Sequence, residues 1–162
     1  MTTLQYRVAN SAMPRKRYIH DCVDTGADFA LLDGVAVLFP CDCVGRNYRS
    51  DDLSMWDNTT HTISDSIDNA VINAEFNMTV NGGVNTVVEM YFYIDNPTLG
   101  IIPIKRIRKL ITKNNVDDQL NFNTILYNGV DSEAKDYGFK VSIEAQGGSV
   151  TLKARSILTV TG

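Results

Sequence analysis

The feature that most constrains this chain is the regular alternation of apolar and polar residues from position 71 onward. In residues 71–80, for example, Ile72, Phe76 and Met78 fall on one side of an extended chain, and polar residues fall on the other. This period of two is typical of a strand with one buried face. Turn-forming residues separate successive segments and no helical period intervenes, so the pattern predicts a sandwich or a barrel.

The predicted strands number about eight. They are residues 30–39, 61–67, 71–80, 84–95, 101–111, 119–127, 137–145 and 149–161. We therefore predict an all-β fold, in which residues 28–162 form an antiparallel jelly-roll-like β-sandwich. Residues 1–27 are predicted to form an extended N-terminal arm or a peripheral segment. The glycine-containing segments 81–83 and 146–148 are short enough that we expect each of them to close a β-hairpin.

The last predicted strand shows the same alternation. We expect its apolar residues to face the core, namely Val150, Leu152, Ala154, Leu158 and Val160. Arg155 belongs to the opposite series, together with several threonines, and is therefore expected to face away from the core.

Composition and charge exclude several classes of protein. Hydrophobic residues make up 44% and charged residues 21% of the 162 residues, as is typical of one globular domain. No apolar run approaches the roughly 20 residues that span a bilayer, and the start of the chain lacks the apolar core of a secretory signal. We therefore expect synthesis in the cytoplasm and no membrane partner. The net charge of -4 argues against general or specific binding of nucleic acid.

The cysteines suggest one possible metal site. Cys22, Cys41 and Cys43 are odd in number, which argues against a disulfide framework. With His20 they form two pairs that each have one intervening residue, so a structural zinc site is geometrically possible. Zinc sites usually place about two to four residues between paired cysteines, and cysteines buried as small apolar residues are more common. We therefore predict no metal and no cofactor, and keep zinc as the alternative.

One short motif suggests catalysis. Residues 24–28 read Asp-Thr-Gly-Ala-Asp and resemble an element of retroviral-type aspartic proteases, which implies Asp24 as the catalytic carboxylate. The segment before Asp24 is half polar, whereas that family has an apolar strand there. Asp-Thr-Gly is also common in turns, because the aspartate side chain accepts hydrogen bonds from nearby backbone amides. We predict an ordinary turn and no enzymatic activity, with an aspartic protease as the remote alternative.

The segment 84–95 is a candidate for association between subunits. One of its faces is apolar, and the opposite face also carries Val87, Tyr91 and Tyr93. Tyrosine suits a subunit interface, because its ring is apolar and its hydroxyl group still forms hydrogen bonds. We take these three residues as a candidate subunit interface, with cover by another segment of the same chain as the alternative.

Basic residues form two clusters that are candidates for contact with a partner. The clusters consist of Arg15, Lys16 and Arg17, and of Lys105, Arg106, Arg108 and Lys109. The second cluster predicts an edge strand, where solvated charges discourage unwanted strand pairing. As the functional alternative, these cations would contact an acidic protein surface or a phosphate group.

Residues 61–162 resemble the jelly-roll modules of tailed-bacteriophage virion proteins and, more loosely, tumour-necrosis-factor-like trimers. The resemblance rests on the number of strands, on the strand pair 76–94 with its Asn-Gly-Gly turn, and on the segment Tyr-Gly-Phe-Lys-Val at 137–141. It implies a non-enzymatic structural virion protein, namely a homotrimeric capsid decoration or cement protein that binds and stabilises the capsid lattice. The implied partners are copies of the same chain and the major capsid protein or another virion protein, and the implied location is the virion.

A receptor- or glycan-binding domain of a head or tail fibre is the alternative. In that case aromatic residues of loops would form the site, and the candidates are Tyr48, Trp56 and Tyr127. The sequence contains no phosphate loop, nucleophile elbow or metalloprotease motif, so a binding function is favoured over catalysis.

Overall fold

The chain folds into two antiparallel β-sheets that pack face to face. The computed structural model describes residues 18–24, 26–42, 44–47, 56–57, 59–64, 70–129 and 132–161, with the backbone alone for residues 18–22, 44–47 and 161. The strands are β1 (Tyr18–Val23), β2 (Phe29–Leu31), β3 (Val37–Leu38), β4 (Val44–Asn47), β5 (Trp56–Asp57), β6 (Thr62–Ile63), β7 (Ala70–Gly82), β8 (Val87–Asn96), β9 (Gly100–Leu110), β10 (Asp118–Asn128), β11 (Phe139–Gln146) and β12 (Val150–Thr161). A short helix, α1, covers Glu133–Tyr137.

The order of the strands confirms the predicted antiparallel jelly-roll-like β-sandwich. In sheet A the order is β10-β7-β12-β1-β4, and β2 pairs with the part of β12 that β1 leaves uncovered. In sheet B the order is β5-β6-β11-β8-β9, and β3 pairs with the part of β11 that β6 leaves uncovered. The described residues contain more strands than the eight predicted, because the part of the chain before residue 70 forms several short strands rather than a few long ones.

The predicted hairpins at residues 81–83 and 146–148 are wrong. The first segment leads from β7 in sheet A to β8 in sheet B, and the second leads from β11 in sheet B to β12 in sheet A. A glycine is needed at position 82, where the chain leaves sheet A, because an added Cβ would lie 3.0 Å from the Val150 side chain and 3.1 Å from that of Ile111. Among the long strands β7 to β12, the consecutive pair that forms a hairpin is β8 and β9.

The core lies between the sheets and is built around aromatic rings. Phe76 of β7 contacts Phe39 and Phe92 in edge-to-face geometry, with ring centroids 5.2 Å and 5.6 Å apart. Trp56 packs against the same group, 6.2 Å from Phe39, and its residue surface is only 3% exposed. The prediction that Trp56 belongs to a surface binding site is therefore wrong, because its indole ring is part of the core.

A β-bulge changes the faces of the last strand. Leu152 pairs with Val80, and Arg155 pairs with Met78, so three residues of β12 advance along two residues of β7. The extra residue reverses which side chains face the core from there onward. The predicted alternation holds for Val150 and Leu152 but is wrong beyond the bulge, where Arg155, Ile157 and Thr159 are buried and Ala154 is exposed.

Part of the segment predicted as an N-terminal arm belongs to sheet A. Strand β1 pairs with β12 on one side and with β4 on the other. The boundary between residues 27 and 28 stays a prediction, and the basic cluster Arg15, Lys16 and Arg17 lies outside the described residues.

The helix α1 joins β10 to β11, and the hydroxyl of Ser132, directly before the helix, donates a hydrogen bond to the Gly129 carbonyl oxygen at 2.8 Å. The helix ends at Gly138, whose φ of 69° favours glycine. Where the structure describes the chain, it has no helix with the length and apolar character needed to cross a membrane.

Candidate functional site

A groove crosses the outer face of sheet B, where β3, β11, β8 and β9 lie side by side. Strand pairing places Leu38 of β3 opposite Ser142 of β11, and Ser142 opposite Tyr91 of β8. Because serine is much smaller than its two neighbours in this row, a groove of about 380 Å³ remains above it. The groove is bounded by β3 on one side and by Tyr91, Tyr93 and Arg106 on the other. We call it the tyrosine groove.

The aromatic wall of the tyrosine groove is held in place by stacking. The rings of Tyr91 and Tyr93 are nearly parallel, with centroids 5.1 Å apart and an interplanar angle of 24°. The guanidinium carbon of Arg106 lies 4.4 Å from the centroid of the Tyr91 ring, which is cation–π geometry. Burial raises the pKa of the Tyr93 hydroxyl, and the positive charge of Lys140 opposes this only in part. The hydroxyl therefore stays protonated at neutral pH and can donate a hydrogen bond.

A buried carboxylate lies beside the aromatic wall. Glu89 is 3% exposed, and Arg106 Nη1 donates a hydrogen bond to Glu89 Oε1 at 2.9 Å. Arg108 Nε donates to Glu89 Oε2. Glu144 lies opposite Glu89 on β11, and its carboxylate accepts a hydrogen bond from Gln146 Nε2 at 3.1 Å. The two arginines compensate the desolvated charge of Glu89, which would otherwise repel Glu144.

The basic segment of β9 is divided between two environments. β9 is the terminal strand of sheet B, so the prediction of an edge strand is confirmed. Arg106 and Arg108 bind Glu89, whereas Lys105 and Lys109 are exposed and form no ion pair within the described part of the chain. Contact with an acidic partner through these cations stays a prediction, and the two lysines are its available groups.

The outer face of sheet A carries exposed apolar residues at one end. Tyr127 of β10 pairs with Val71 of β7, and Ile125 lies on the same face two residues before Tyr127. Their exposed fractions are 58%, 38% and 67%, respectively. Leu158 and Val160 of β12 are half-buried on the same face. We call these five residues the apolar cluster.

The other end of this face is a ladder of polar side chains. Glu75 Oε1 accepts hydrogen bonds from Asn77 Nδ2 at 2.9 Å and from Asn121 Nδ2 at 2.7 Å. Asn123 Nδ2 donates to Asn121 Oδ1 at 2.6 Å. Because these polar groups satisfy one another across the strands, they can border an interface without being left unpaired when water is excluded.

Asp24 has a structural environment. Its carboxylate accepts hydrogen bonds from the Gly26 amide at 2.9 Å and the Asp42 amide at 3.3 Å, and Arg155 Nε donates to its other oxygen. The Asp24 and Arg155 side chains are only 2% and 4% exposed. Arg155 also donates to the carbonyl oxygens of Leu152 and Ala27, each at 3.0 Å. The pair therefore fastens the turn after β1 to the bulge of β12, a role that the sequence analysis missed because it assigned Arg155 to the outer face.

The candidate zinc ligands are described only in part. Cys41 is buried, Cys43 lies outside the described residues, and only the backbone of His20 and Cys22 is described. The zinc alternative therefore stays a prediction, and the described residues contain no group of three potential metal ligands.

Of the aromatic residues proposed for a fibre site, the two that the structure describes are separated. Tyr127 lies on the outer face of sheet A and Trp56 in the core, whereas Tyr48 lies outside the described residues. Val87, Tyr91 and Tyr93 share one half-buried face of β8, as predicted from their spacing.

Comparisons with known proteins show the fold. No family model matches the sequence, and no curated protein matches it. Among solved structures, the structure of Eiger TNF from S. frugiperda is similar, with a TM-score of 0.55 over 89% of this chain and 92% of that chain. The two chains are 9% identical, so the likeness concerns the fold alone. The chain has a TNF-like jelly-roll fold.

Proposed function

We propose that this protein is a non-enzymatic structural protein that associates with copies of itself through the apolar cluster, and that the assembled form decorates and stabilises the capsid of a tailed bacteriophage. The observation that carries the proposal is the exposure of Val71, Ile125 and Tyr127 together on one sheet face. The assignment to the virion is supported by the resemblance of residues 61–162 to jelly-roll modules of virion proteins.

The apolar cluster has the size expected for the centre of an interface. Full burial of Val71, Ile125 and Tyr127 would remove roughly 300 Å² per subunit, which at about 25 cal/mol per Å² contributes about 7 kcal/mol. Association entropy and side-chain ordering oppose binding by about 4–15 kcal/mol, so the cluster alone does not suffice. The neighbouring ladder of polar side chains, formed by Glu75, Asn77, Asn121 and Asn123, would add to the area buried, and a stable interface buries roughly 800 Å² per partner.

We place the self-association on sheet A because the alternative face is less available. Val87, Tyr91 and Tyr93 are half-buried, and Arg106 stacks on the Tyr91 ring. Ile125 and Tyr127 are more than half exposed and lie on the edge strand β10. A homotrimer is the expected assembly, in line with the resemblance to tumour-necrosis-factor-like trimers.

The oligomeric state tests the interface directly. We expect the wild-type protein to sediment as a trimer and the variant Ile125→Thr with Tyr127→Thr to sediment as a monomer, because threonine keeps strand propensity but removes most of the apolar area. Leu99→Thr is the matched control, since Leu99 is equally exposed but lies in the turn between β8 and β9. A monomeric wild-type protein, or an unchanged mass of the double variant, would contradict the proposed interface.

Capsid binding tests the second half of the proposal. Capsids that lack the protein should bind the wild-type form and melt at a higher temperature afterwards, whereas the monomeric double variant should bind more weakly because it loses multivalent attachment. If the wild-type protein neither binds such capsids nor raises their melting temperature, the capsid assignment is wrong, and the measured oligomeric state still decides the self-association.

A further inference from the structure

We propose that the tyrosine groove on the outer face of sheet B binds a neutral oligosaccharide. The site is distinct from the apolar cluster, which lies on the other sheet. The inference goes beyond the proposed capsid function and rests on the shape, the aromatic wall and the charge balance of the groove.

The shape of the groove follows from the strand register. Ser142 is the small residue in the row between Leu38 and Tyr91, and its side chain forms the floor. The volume of about 380 Å³ lies within the range of about 300–1,000 Å³ that is typical of small-molecule sites. The floor strands β11 and β8 are paired on both sides, so their backbone amides are used in the sheet. Recognition must therefore come from side chains, which disfavours an added peptide strand.

The aromatic wall suits the apolar face of a sugar ring. A pyranose presents C–H groups on one face and hydroxyl groups around its edge, so it can stack on an aromatic ring while its hydroxyl groups form hydrogen bonds. Tyr91 is stacked against Tyr93 and lies under the Arg106 guanidinium group, so the ring that can receive a sugar is that of Tyr93, which Tyr91 holds in place. Because the wall is already ordered, binding loses little side-chain entropy.

The charges of the groove favour a neutral ligand. Glu89 is compensated by Arg106 and Arg108, and the net charge of these three groups and Glu144 is zero. Glu144 has no cationic partner in the described part of the chain, so its carboxylate can accept hydrogen bonds from ligand hydroxyl groups. The Glu144 carboxylate would repel an anionic ligand, and the Arg106 guanidinium group would repel a cationic one. A polyhydroxylated neutral ligand matches both the acceptors and the donors.

Saccharide binding by the wild-type protein is the first measurement. The probes are the di-, tri- and tetrasaccharides of glucose, galactose, mannose and N-acetylglucosamine, tested by saturation-transfer NMR and titration calorimetry. We expect at least one of them to bind with a Kd of about 0.1–1 mM, as is reasonable for an open groove. The sulfated form of the best probe should bind more weakly, because its charge faces Glu144.

Variants locate the binding in the groove. Tyr93→Ala should weaken binding at least tenfold, and Ser142→Phe should abolish it by filling the floor while retaining strand propensity. Tyr137→Ala is the matched control, since Tyr137 is an exposed tyrosine in α1. Circular dichroism and the melting temperature show whether each variant is folded. Because Ser142 is only 9% exposed, a phenylalanine there also tests the packing of the sheet. Glu144→Gln therefore provides a second variant of unchanged shape, which should also weaken binding.

Several results would overturn the proposal. One is that no probe binds at about 10 mM, a concentration at which a Kd in the expected range would give detectable binding. The others are that Tyr137→Ala weakens binding as much as Tyr93→Ala does, and that the sulfated probe binds more tightly than the neutral one. A lower oligomeric mass of Tyr93→Ala would assign the groove to a subunit interface instead. Failure of the capsid proposal has different signatures, because it depends on Ile125 and Tyr127 and not on groove residues.

Discussion

Replacement of Arg155 should destabilise the fold more than replacement of any surface cation. Arg155 and Asp24 are 4% and 2% exposed. The variant Arg155→Met would therefore leave a buried carboxylate whose remaining hydrogen-bond donors among the described residues are the backbone amides of Gly26 and Asp42. Removing one partner of a buried ion pair costs about 3–5 kcal/mol. That is a large part of the 5–15 kcal/mol by which domains are usually stable.

A variant that lacks both charges shows how much of the lost stability comes from the unpaired buried charge. Replacing both charges by apolar residues of similar size, as in Asp24→Leu with Arg155→Met, removes the unpaired buried charge and is expected to be less damaging than either single change. The lost hydrogen bonds from Arg155 to the Leu152 and Ala27 carbonyl oxygens still cost about 1 kcal/mol each. Lys140→Met is the surface control, because its partner Asp95 is 44% exposed and such pairs contribute about 0–1 kcal/mol.

Urea unfolding is the appropriate assay, because Trp56 is the single tryptophan and is buried in the core. Its fluorescence reports on the packing between the sheets, and all variants are compared at one protein concentration, since self-association adds to apparent stability. The reasoning is refuted if Arg155→Met costs less than about 1 kcal/mol, or if the double variant is as unstable as the sum of the two single variants.

Three further predictions concern single positions. Gly138→Ala should lower stability by about 1–3 kcal/mol in thermal unfolding, because Gly138 has a φ of 69° and an added Cβ would lie 3.0 Å from the Ile63 carbonyl oxygen. Gly34 has a similar φ, but an added Cβ there would have no described neighbour within 4 Å, so Gly34→Ala should cost less. Glu89→Gln should cost about 1–3 kcal/mol in urea unfolding, which is less than Arg155→Met because the arginines that it leaves unpaired are exposed to solvent. Hydrogen bonds from the Thr112 amide and hydroxyl lower the pKa of Asp118, so its charge stabilises the fold above the pKa of the unfolded chain. This contribution is lost as the pH falls through the folded-state pKa. Asp118→Asn should therefore be less stable than the wild type at neutral pH, and the difference should be smaller at about pH 3, which is below the pKa of an aspartate in an unfolded chain. An Asp118→Asn difference that is the same at both pH values would contradict the last prediction.

The alternation of apolar residues predicted most of the sandwich, because side-chain period is a local property of the chain. Ile72, Phe76 and Met78 are buried as predicted, and so are the apolar residues on one face of β8. The partners of each strand are not a local property. The glycine segments at 81–83 and 146–148 have the composition of hairpin turns, but β7 finds its partners in β10 and β12, so tertiary pairing decides against the local turn signal.

The binding surfaces were only partly predictable. The spacing of Val87, Tyr91 and Tyr93 predicted a shared face, and the structure adds the small Ser142 between Leu38 and Tyr91, which depends on the register of three strands that are distant in sequence. The role of Arg155 depends on a bulge of one residue, and nothing in the local sequence of β12 distinguishes that bulge from regular alternation. Ile125 was not predicted, because an exposed apolar residue and a buried one look alike in a single sequence. Tyr127 was expected in a loop of a fibre site, whereas it lies on a strand beside Ile125.

The two outer faces differ in what they can bind, because sheet A exposes apolar side chains at its edge and sheet B has a groove near its centre. On sheet A, the exposed residues Ile125 and Tyr127 project from an edge strand, and a second flat surface can cover them. On sheet B, the central row contains Ser142, and the surrounding charges are compensated within the face, so a large flat partner would leave the groove unfilled. A protein surface gains most from the first face and a small polyhydroxylated ligand from the second. Self-association and ligand binding can therefore occur on the same subunit without competition, which predicts that a trimer retains three accessible grooves.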